Sequence, residues 1–145
     1  MNDLRTEHLK READVWGDFE RLVLLVPRDR WESPDVMPEW TVKEMLWHVA
    51  GWLQLCAGEL ERMRAGTFSE SDAFDDTDER NATFADQARA MDADAVWAGV
   101  LEARDLARAR WNELPEITDR AVEEFASETY QHYKEHVDDL ERAAS

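Results

Sequence analysis

Two histidines near the C-terminus, His132 and His136, are spaced so that both could bind one ion. They stand four residues apart in ETYQHYKEHVDDL, a segment whose pattern predicts a helix. Residues four apart leave a helix on the same face. That face is an apolar stripe, which comprises Val122, Phe125, Thr129, His132, His136 and Leu140. Two buried imidazoles in contact cannot both be protonated at low cost, because like charges repel, and a shared metal ion removes that conflict.

A third histidine, His48, lies at the edge of the apolar face of an earlier predicted helix, in LWHVAGW. If the two helices face each other in a bundle, His48, His132 and His136 meet as three nitrogen ligands. Three protein ligands with one position open describe a catalytic metal site rather than a closed structural one. Imidazole suits zinc, nickel, copper or iron, and among these we expect zinc or nickel. The alternative is three ordinary histidines near the surface. His8 is expected to lie apart from the site, because termini fray.

Other side chains are candidates for the surroundings of this site. Glu128 lies one turn before His132 and could accept a hydrogen bond from a ligand imidazole, although a solvated surface carboxylate is the alternative. Trp52 either forms an aromatic wall of a ligand pocket or packs in the core. Tyr133 lies off the histidine stripe, where its hydroxyl could polarise a bound ligand or its ring could pack on a neighbour. Cys56 lies in an apolar stripe and is interpreted as a core residue rather than a nucleophile.

Four stretches with helical spacing of apolar residues must position these side chains. The first runs from about Asp3 to Val26, and the second begins after the N-cap Thr41, three residues before Glu44, and ends at Gly66. The acidic segment TFSESDAFDDTDERNATF predicts a long loop that passes into the third helix near Asp78 or Glu79. That helix is interrupted or bent around MDADAV and ends near Glu113, and the fourth runs from the cap Thr118 to about Ala143. These helices predict an all-α four-helix bundle, as a single domain over residues 1–145.

The composition limits the classes of function. The chain has 145 residues, with 34 acidic and 17 basic side chains and a formal net charge of −17. Phosphates and anionic membrane surfaces would be repelled, so we expect neither nucleic acid nor a membrane as partner. The single cysteine excludes an intrachain disulfide and is typical of a reducing compartment. The N-terminus is too polar for a signal peptide, so we expect a cytoplasmic protein.

Three segments, in this order, resemble the DinB/YfiT-like superfamily of four-helix bundles: WTVKEMLWHVAGW, DERNATF and ETYQHYKEHVDDL. They are similar in particular to its ClbS/DfsB-like and maleylpyruvate-isomerase-like branches. The resemblance covers residues from about Asp3 to Leu140. It implies an up-down-down-up bundle that binds a divalent metal through three histidines, carried over here to His48, His132 and His136. It also implies that Asn81, in DERNATF, reaches the mouth of the metal site, although a role at the helix start is the alternative.

The resemblance implies a metal-dependent enzyme that activates a low-molecular-weight thiol or water for transfer, isomerisation or hydrolysis. Two other classes of function remain open at this point. One is a binding or sequestering protein that uses the same pocket without turnover, and the other is a metal-free structural bundle. We expect a small-molecule ligand. We also expect a homodimer, because seven tryptophans in a small chain leave apolar area to cover.

Overall fold

The computed structural model describes residues 3–37, 39–69 and 77–144 of the chain. Within these ranges it contains helices and no strand, so the all-α prediction is confirmed. The helices are α1 (Leu4–Leu25), α2 (Val42–Ala65), α3 (Thr77–Arg89), α4 (Ala93–Glu113), α5 (Asp119–Glu128) and α6 (Tyr130–Ala144), with a 3-10 turn at Arg28–Arg30. The predicted acidic loop falls partly on residues 70–76, which lie outside the described residues. No helix in the described ranges is both long enough and apolar enough to span a lipid bilayer.

The predicted limits of α2 agree with the structure because the local signals are strong. The Thr41 hydroxyl accepts from the backbone N–H of Glu44 at 3.1 Å, and the Glu44 carboxylate accepts from the backbone N–H of Thr41 at 2.9 Å. This reciprocal capping box satisfies two N–H groups that the helix cannot bond internally. At the other end, Gly66 has a left-handed φ of 78°, which favours glycine. The helix that carries His48 therefore begins and ends at fixed residues.

α2 and α4 run in the same direction. The Lys43 ammonium, at the start of α2, donates to the backbone carbonyl of Met91, just before α4, at 2.6 Å. Near the other ends, the Arg110 Nε lies 3.8 Å from a carboxylate oxygen of Glu61. Because the two helices are parallel, the connection between them must return along the length of the bundle. α3 belongs to that connection.

The remaining long helices run the opposite way to this pair. The His8 ring lies 5.9 Å from the Trp111 ring, while Trp16 stacks on Trp97 at 5.9 Å, so α1 is antiparallel to α4. On the other side, Trp40 lies beside His136, and the Cys56 sulfur lies 4.0 Å from the backbone carbonyl of Glu124. α2 is therefore antiparallel to α5 and α6. The order of directions is up-down-down-up, as the resemblance implied.

α3 lies against α2, and a small residue permits the close approach. A Cβ atom at Gly51 would stand only 2.5 Å from the Phe84 ring. The Trp47 indole donates to the side-chain carbonyl of Gln87 at 2.9 Å, and Arg89 forms a salt bridge with Glu44 at 3.0 Å. These contacts place α3 beside the turn of α2 that contains His48.

The predicted fourth helix differs from the structure at one residue. It is divided into α5 and α6 at Thr129, whose φ and ψ are −110° and −100°. The Thr129 hydroxyl donates to the backbone carbonyl of Phe125 at 2.6 Å. A threonine side chain that bonds the carbonyl of the preceding turn bends helices, which explains the break at this position. Of the two alternatives predicted for the third helix near MDADAV, the structure shows the interruption, because Asp92 caps a separate α4.

Candidate metal centre

The three predicted histidines meet in the interior, where α2 faces α6. The Nε2 of His48 lies 3.0 Å from the Nε2 of His132, and the Nε2 of His136 lies 3.1 Å from that same atom. The candidate ligand atoms of all three lie within 4.8 Å of one another. The three residues expose between 6 % and 9 % of their surface. His48 and His132 are 84 positions apart in the sequence, yet their ring nitrogens point to the same place in the interior.

Asn81 fixes which nitrogen of His48 carries the proton. The Trp52 indole N–H donates to the Asn81 Oδ1 at 2.7 Å, and an indole can only donate. The Asn81 atom in that position must therefore be the oxygen. The same oxygen lies 3.0 Å from the Nδ1 of His48, so that Nδ1 must be the protonated nitrogen. The Nε2 of His48 is left with its lone pair directed at the other two histidines.

The donor set fits a metal ion better than a network of hydrogen bonds. With His48 Nε2 unprotonated, His132 Nε2 must donate to it, and that N–H cannot also bond to His136 Nε2. One of the two short contacts would then have no shared proton. If all three Nε2 atoms are unprotonated, their lone pairs converge, which is the arrangement that zinc and other borderline divalent metals bind.

Burial keeps the three imidazoles in the neutral form that binds metals. Desolvation, together with the nearby His136, lowers the pKa of His48 to about 4. Burial and the other two histidines lower the pKa of His132 to about 2. Burial also lowers the pKa of His136, and the nearby Asp139 opposes that effect. At neutral pH all three rings are uncharged, so their lone pairs need no deprotonation before coordination.

Two tryptophans border the histidines. The Trp40 ring, from the segment before α2, lies 4.8 Å from the ring of His48 and 5.7 Å from that of His136. Trp52, one turn after His48, packs edge-on against Phe84 at 6.2 Å. Apolar surroundings lower the local dielectric constant and strengthen electrostatic interactions at the site.

A cavity of about 420 Å³ adjoins two of the three histidines. Its size suits a small molecule. It is lined by residues from α2, α3, α5 and α6: His48, Trp52, Thr77, Asn81, Ser127, Glu128, His132 and Glu135. Three residues predicted for the surroundings of the site, Trp52, Asn81 and Glu128, therefore lie at its edge.

One comparison with known proteins decides the family. A family model described as the mycothiol maleylpyruvate isomerase N-terminal domain matches residues 13–131, which is more than half of the chain. The chain belongs to this family. The family is part of the DinB/YfiT-like superfamily, so the predicted resemblance and its maleylpyruvate-isomerase-like branch are confirmed. No curated protein and no solved structure matches the chain in the same comparisons.

The match to the mycothiol maleylpyruvate isomerase N-terminal domain includes part of the candidate centre. His48, Trp52 and Asn81 fall inside the matched residues 13–131, whereas His132 and His136 lie within five residues after them. The assignment of the last two histidines to the centre therefore rests on the geometry of this chain. Their Nε2 atoms are 3.1 Å apart.

Glu128 is placed differently from the role that the sequence suggested for it. It lines the cavity beside His132, but among the described residues the His132 Nδ1 has no hydrogen-bond partner. Glu128 therefore does not orient that ring in this family member. Burial, followed by the like charges of Glu124 and Glu135, raises the pKa of Glu128 to about 8.

Tyr133 does not line the cavity, although it was a candidate for the site. It is fully buried, and its hydroxyl donates to a carboxylate oxygen of Glu12 at 2.8 Å. Neighbouring residues on a helix leave it about 100° apart, so Tyr133 faces α1 when His132 faces α2.

His8 also lies elsewhere, with its Nδ1 3.0 Å from the Tyr130 hydroxyl. Cys56 is fully buried in the core, as predicted, and burial raises its pKa.

A buried polar cluster on the far side of α6 was not predicted from the sequence. Glu12 is fully buried and forms salt bridges with Arg104 at 2.7 Å and with Arg108 at 2.6 Å. The sequence contains a sign of this cluster, because Glu12 lies on the buried face of α1 that includes His8 and Phe19. An acidic residue on a buried face requires a partner, and two arginines four residues apart on α4 supply it.

Proposed function

We propose that this chain is a metal-dependent enzyme that activates a low-molecular-weight thiol or water for transfer, isomerisation or hydrolysis. The observation that carries the proposal is the convergence of three neutral, buried Nε2 atoms beside a cavity of small-molecule size. The family description names mycothiol, a low-molecular-weight thiol, together with an isomerase. That description favours the thiol route over the water route.

His48, His132 and His136 would hold the divalent ion, which we propose to be zinc or nickel. When bound there, the ion would have an open coordination position and would lower the pKa of a thiol or water, giving an anion near neutral pH. Asn81 keeps His48 in the tautomer that binds, because its oxygen holds the Nδ1 proton. Trp40 and Trp52 exclude bulk water from the histidines, and the cavity accepts the remainder of the ligand.

Metal content is the first test of the proposal. Purified parent protein should contain close to one divalent ion per chain, and His48→Ala should lose most of it, because two imidazoles hold a metal less tightly than three. His8→Ala is the matched control, since His8 bonds Tyr130 outside the cluster. Equal metal content in the parent and in His48→Ala would show that the site assignment is wrong.

Thiol binding and turnover form the second test. Small thiols are titrated calorimetrically into metal-loaded protein, and a model electrophile is then added. Thiol binding with product formation supports the enzyme. Binding of a ligand without turnover would instead support a sequestering protein, and a metal-free parent would support a structural bundle.

We also propose that the protein is a cytoplasmic homodimer. Leu24 and Leu25, at the end of α1, expose 56 % and 58 % of their surface, which is apolar area that a second copy would cover. Light scattering at micromolar concentration should then give twice the 16.9 kDa of one chain. A mass of a single chain would contradict the dimer.

A further inference from the structure

The outer nitrogen of His136, Nδ1, must carry the proton when this ring binds a metal through Nε2. A neutral imidazole has one N–H group, so the nitrogen that does not coordinate is the one that is protonated. His136 exposes only 6 % of its surface, and among the described residues its Nδ1 has no hydrogen-bond partner. A buried N–H group without an acceptor costs free energy. The coordinating form of His136 therefore needs an acceptor beside Nδ1.

Asp139, one turn further along α6, places a carboxylate beside this nitrogen. Its Oδ2 lies 3.8 Å from the Nδ1 of His136. That distance is longer than the ~2.9 Å of a formed N–H···O hydrogen bond, but the terminal torsion of an aspartate side chain turns at low cost. The other carboxylate oxygen, Oδ1, accepts from the Arg142 guanidinium. The two oxygens of Asp139 thus have different neighbours, and Oδ2 is the one beside the histidine.

Asp139 approaches the histidines from outside the ligand cavity. His48 and His132 line the cavity of about 420 Å³, whereas His136 and Asp139 do not. Asp139 instead lines a separate cavity of about 150 Å³ together with Trp40, whose ring lies 5.7 Å from that of His136. A carboxylate in this position can hold the His136 ring without competing with a ligand for the open coordination position.

We propose that Asp139 is a positioning residue, which accepts the Nδ1 proton of His136 and so keeps the Nε2 lone pair available to the metal. The inference rests on the proposed function, because it names a residue that orients one ligand of the metal centre. Carboxylates that bond the outer nitrogen of a ligand histidine fix the ring and raise the basicity of the nitrogen that binds the metal. His48 has its acceptor in Asn81, on another helix. His136 has its acceptor in Asp139, on its own helix.

The zinc affinity of four proteins tests this role. Competition with a chelator of known affinity is measured for the parent, Asp139→Ala, Asp139→Glu and the control Asp138→Ala. Asp138 is the matched control because it is exposed, stands next to Asp139 and pairs with Lys134 on the same helix. Asp139→Ala should weaken zinc affinity about 10- to 100-fold. Asp139→Glu should recover most of that loss, because a longer carboxylate side chain can also reach Nδ1, and Asp138→Ala should bind zinc as the parent does.

Nuclear magnetic resonance of protein with isotope-labelled histidine gives a readout that a purely structural role of Asp139 would not change. In the zinc-loaded parent and in Asp139→Glu, the Nδ1 proton of His136 should give a signal shifted downfield by its bond to a carboxylate. In Asp139→Ala, at saturating zinc, that signal should move upfield or broaden through exchange with water. Circular dichroism establishes that each variant is folded.

The outcomes separate this inference from the function on which it rests. Equal zinc affinity in the parent and in Asp139→Ala would show that Asp139 has no positioning role, and equal losses in Asp139→Ala and Asp138→Ala would show an effect of charge alone. A loss in Asp139→Ala with an unchanged Nδ1 signal would also overturn the inference. If the parent binds no zinc, the metal centre and the positioning role fail together. If zinc affinity depends on Asp139 as expected but the loaded protein activates neither thiol nor water, the proposed function fails and the positioning role stands.

Discussion

The side-chain oxygen of Asn81 lies 3.0 Å from the Nδ1 of His48, so a residue of the connection between α2 and α4 orients a candidate metal ligand. Hydrogen bonds of this kind fix the tautomer and raise the basicity of the nitrogen that binds the metal. The connection is therefore part of the candidate centre, because its helix α3 packs against α2 beside His48.

We expect Asn81→Ala to weaken metal affinity about 10- to 100-fold, because His48 loses the acceptor that selects its tautomer. Asn81→Asp should retain most of the affinity, since a carboxylate also accepts from Nδ1. Competition with a chelator of known affinity measures both variants. Asn112→Ala, at an exposed position on α4, is the control. An unchanged affinity in Asn81→Ala would show that Asn81 has no orienting role.

Metal affinity should persist to lower pH than histidine sites usually allow. Protonation competes with metal for the same nitrogen, and an ordinary histidine has a pKa of about 6.5. Burial lowers the pKa of all three histidines, that of His48 to about 4 and that of His132 to about 2, so protons compete for the site at a lower pH than for exposed histidines. Chelator competition between about pH 7.5 and pH 4.5 tests this. A steep loss of affinity already between about pH 7 and pH 6 would contradict it.

Glu128→Gln should stabilise the metal-free protein at alkaline pH. The pKa of Glu128 is raised from 4.5 to about 8 in the folded chain, so the folded state binds a proton that the unfolded state releases. Glu128 therefore lowers the free energy of unfolding as the pH rises above about 4.5, and this loss is complete above about pH 8. Thermal unfolding should show a higher Tm for Glu128→Gln at about pH 8 and no difference at about pH 4. Glu123→Gln is the control, because Glu123 is an exposed residue of α5 that does not line the cavity. Equal Tm values for Glu128→Gln and Glu123→Gln at about pH 8 would refute the prediction.

Removal of the Glu12 carboxylate should strongly destabilise the bundle. Glu12→Ala leaves Arg104 and Arg108 without their buried partner and removes the acceptor of the Tyr133 hydroxyl. The loss of one partner of a buried ion pair costs about 3–5 kcal/mol. Urea unfolding measures the free energy of unfolding of Glu12→Ala and of the control Glu7→Ala. Glu7→Ala removes a solvent-exposed pair with Arg11 and should lower that free energy by about 1 kcal/mol or less. A similar cost for the two variants would mean that the Glu12 cluster contributes little to stability.

The meeting of the histidines was predictable because spacing and helix faces determine it. His132 and His136 are one turn apart, and His48 borders the buried face of α2. Antiparallel packing of these two helices through their apolar faces can bring the three side chains together. Asn81 was accessible only through the resemblance to a family, because nothing in its local sequence shows that α3 returns beside α2. The close contact of Phe84 with Gly51 depends on tertiary packing that no short segment encodes.

The break at Thr129 and the position of Tyr133 show where pattern reasoning failed. Thr129 fits the apolar stripe of a continuous helix, so periodicity gave no sign of the hydroxyl bond to Phe125 that accompanies the break. Tyr133 was considered for the site because it is adjacent to His132 in sequence. Adjacent residues on a helix face different neighbours, and the neighbour of Tyr133 is Glu12.

The 84 positions that separate His48 from His132 also concern how the chain folds. His132 and His136 are brought together whenever α6 is helical, whereas His48 joins them only after α2 has packed against α6. Closing so long a loop is slow and entropically costly, and a ligand that binds only the native arrangement stabilises it by mass action. A divalent ion on the three histidines would thus serve as a reversible crosslink between the two halves of the chain. Its retention would report that the bundle has assembled.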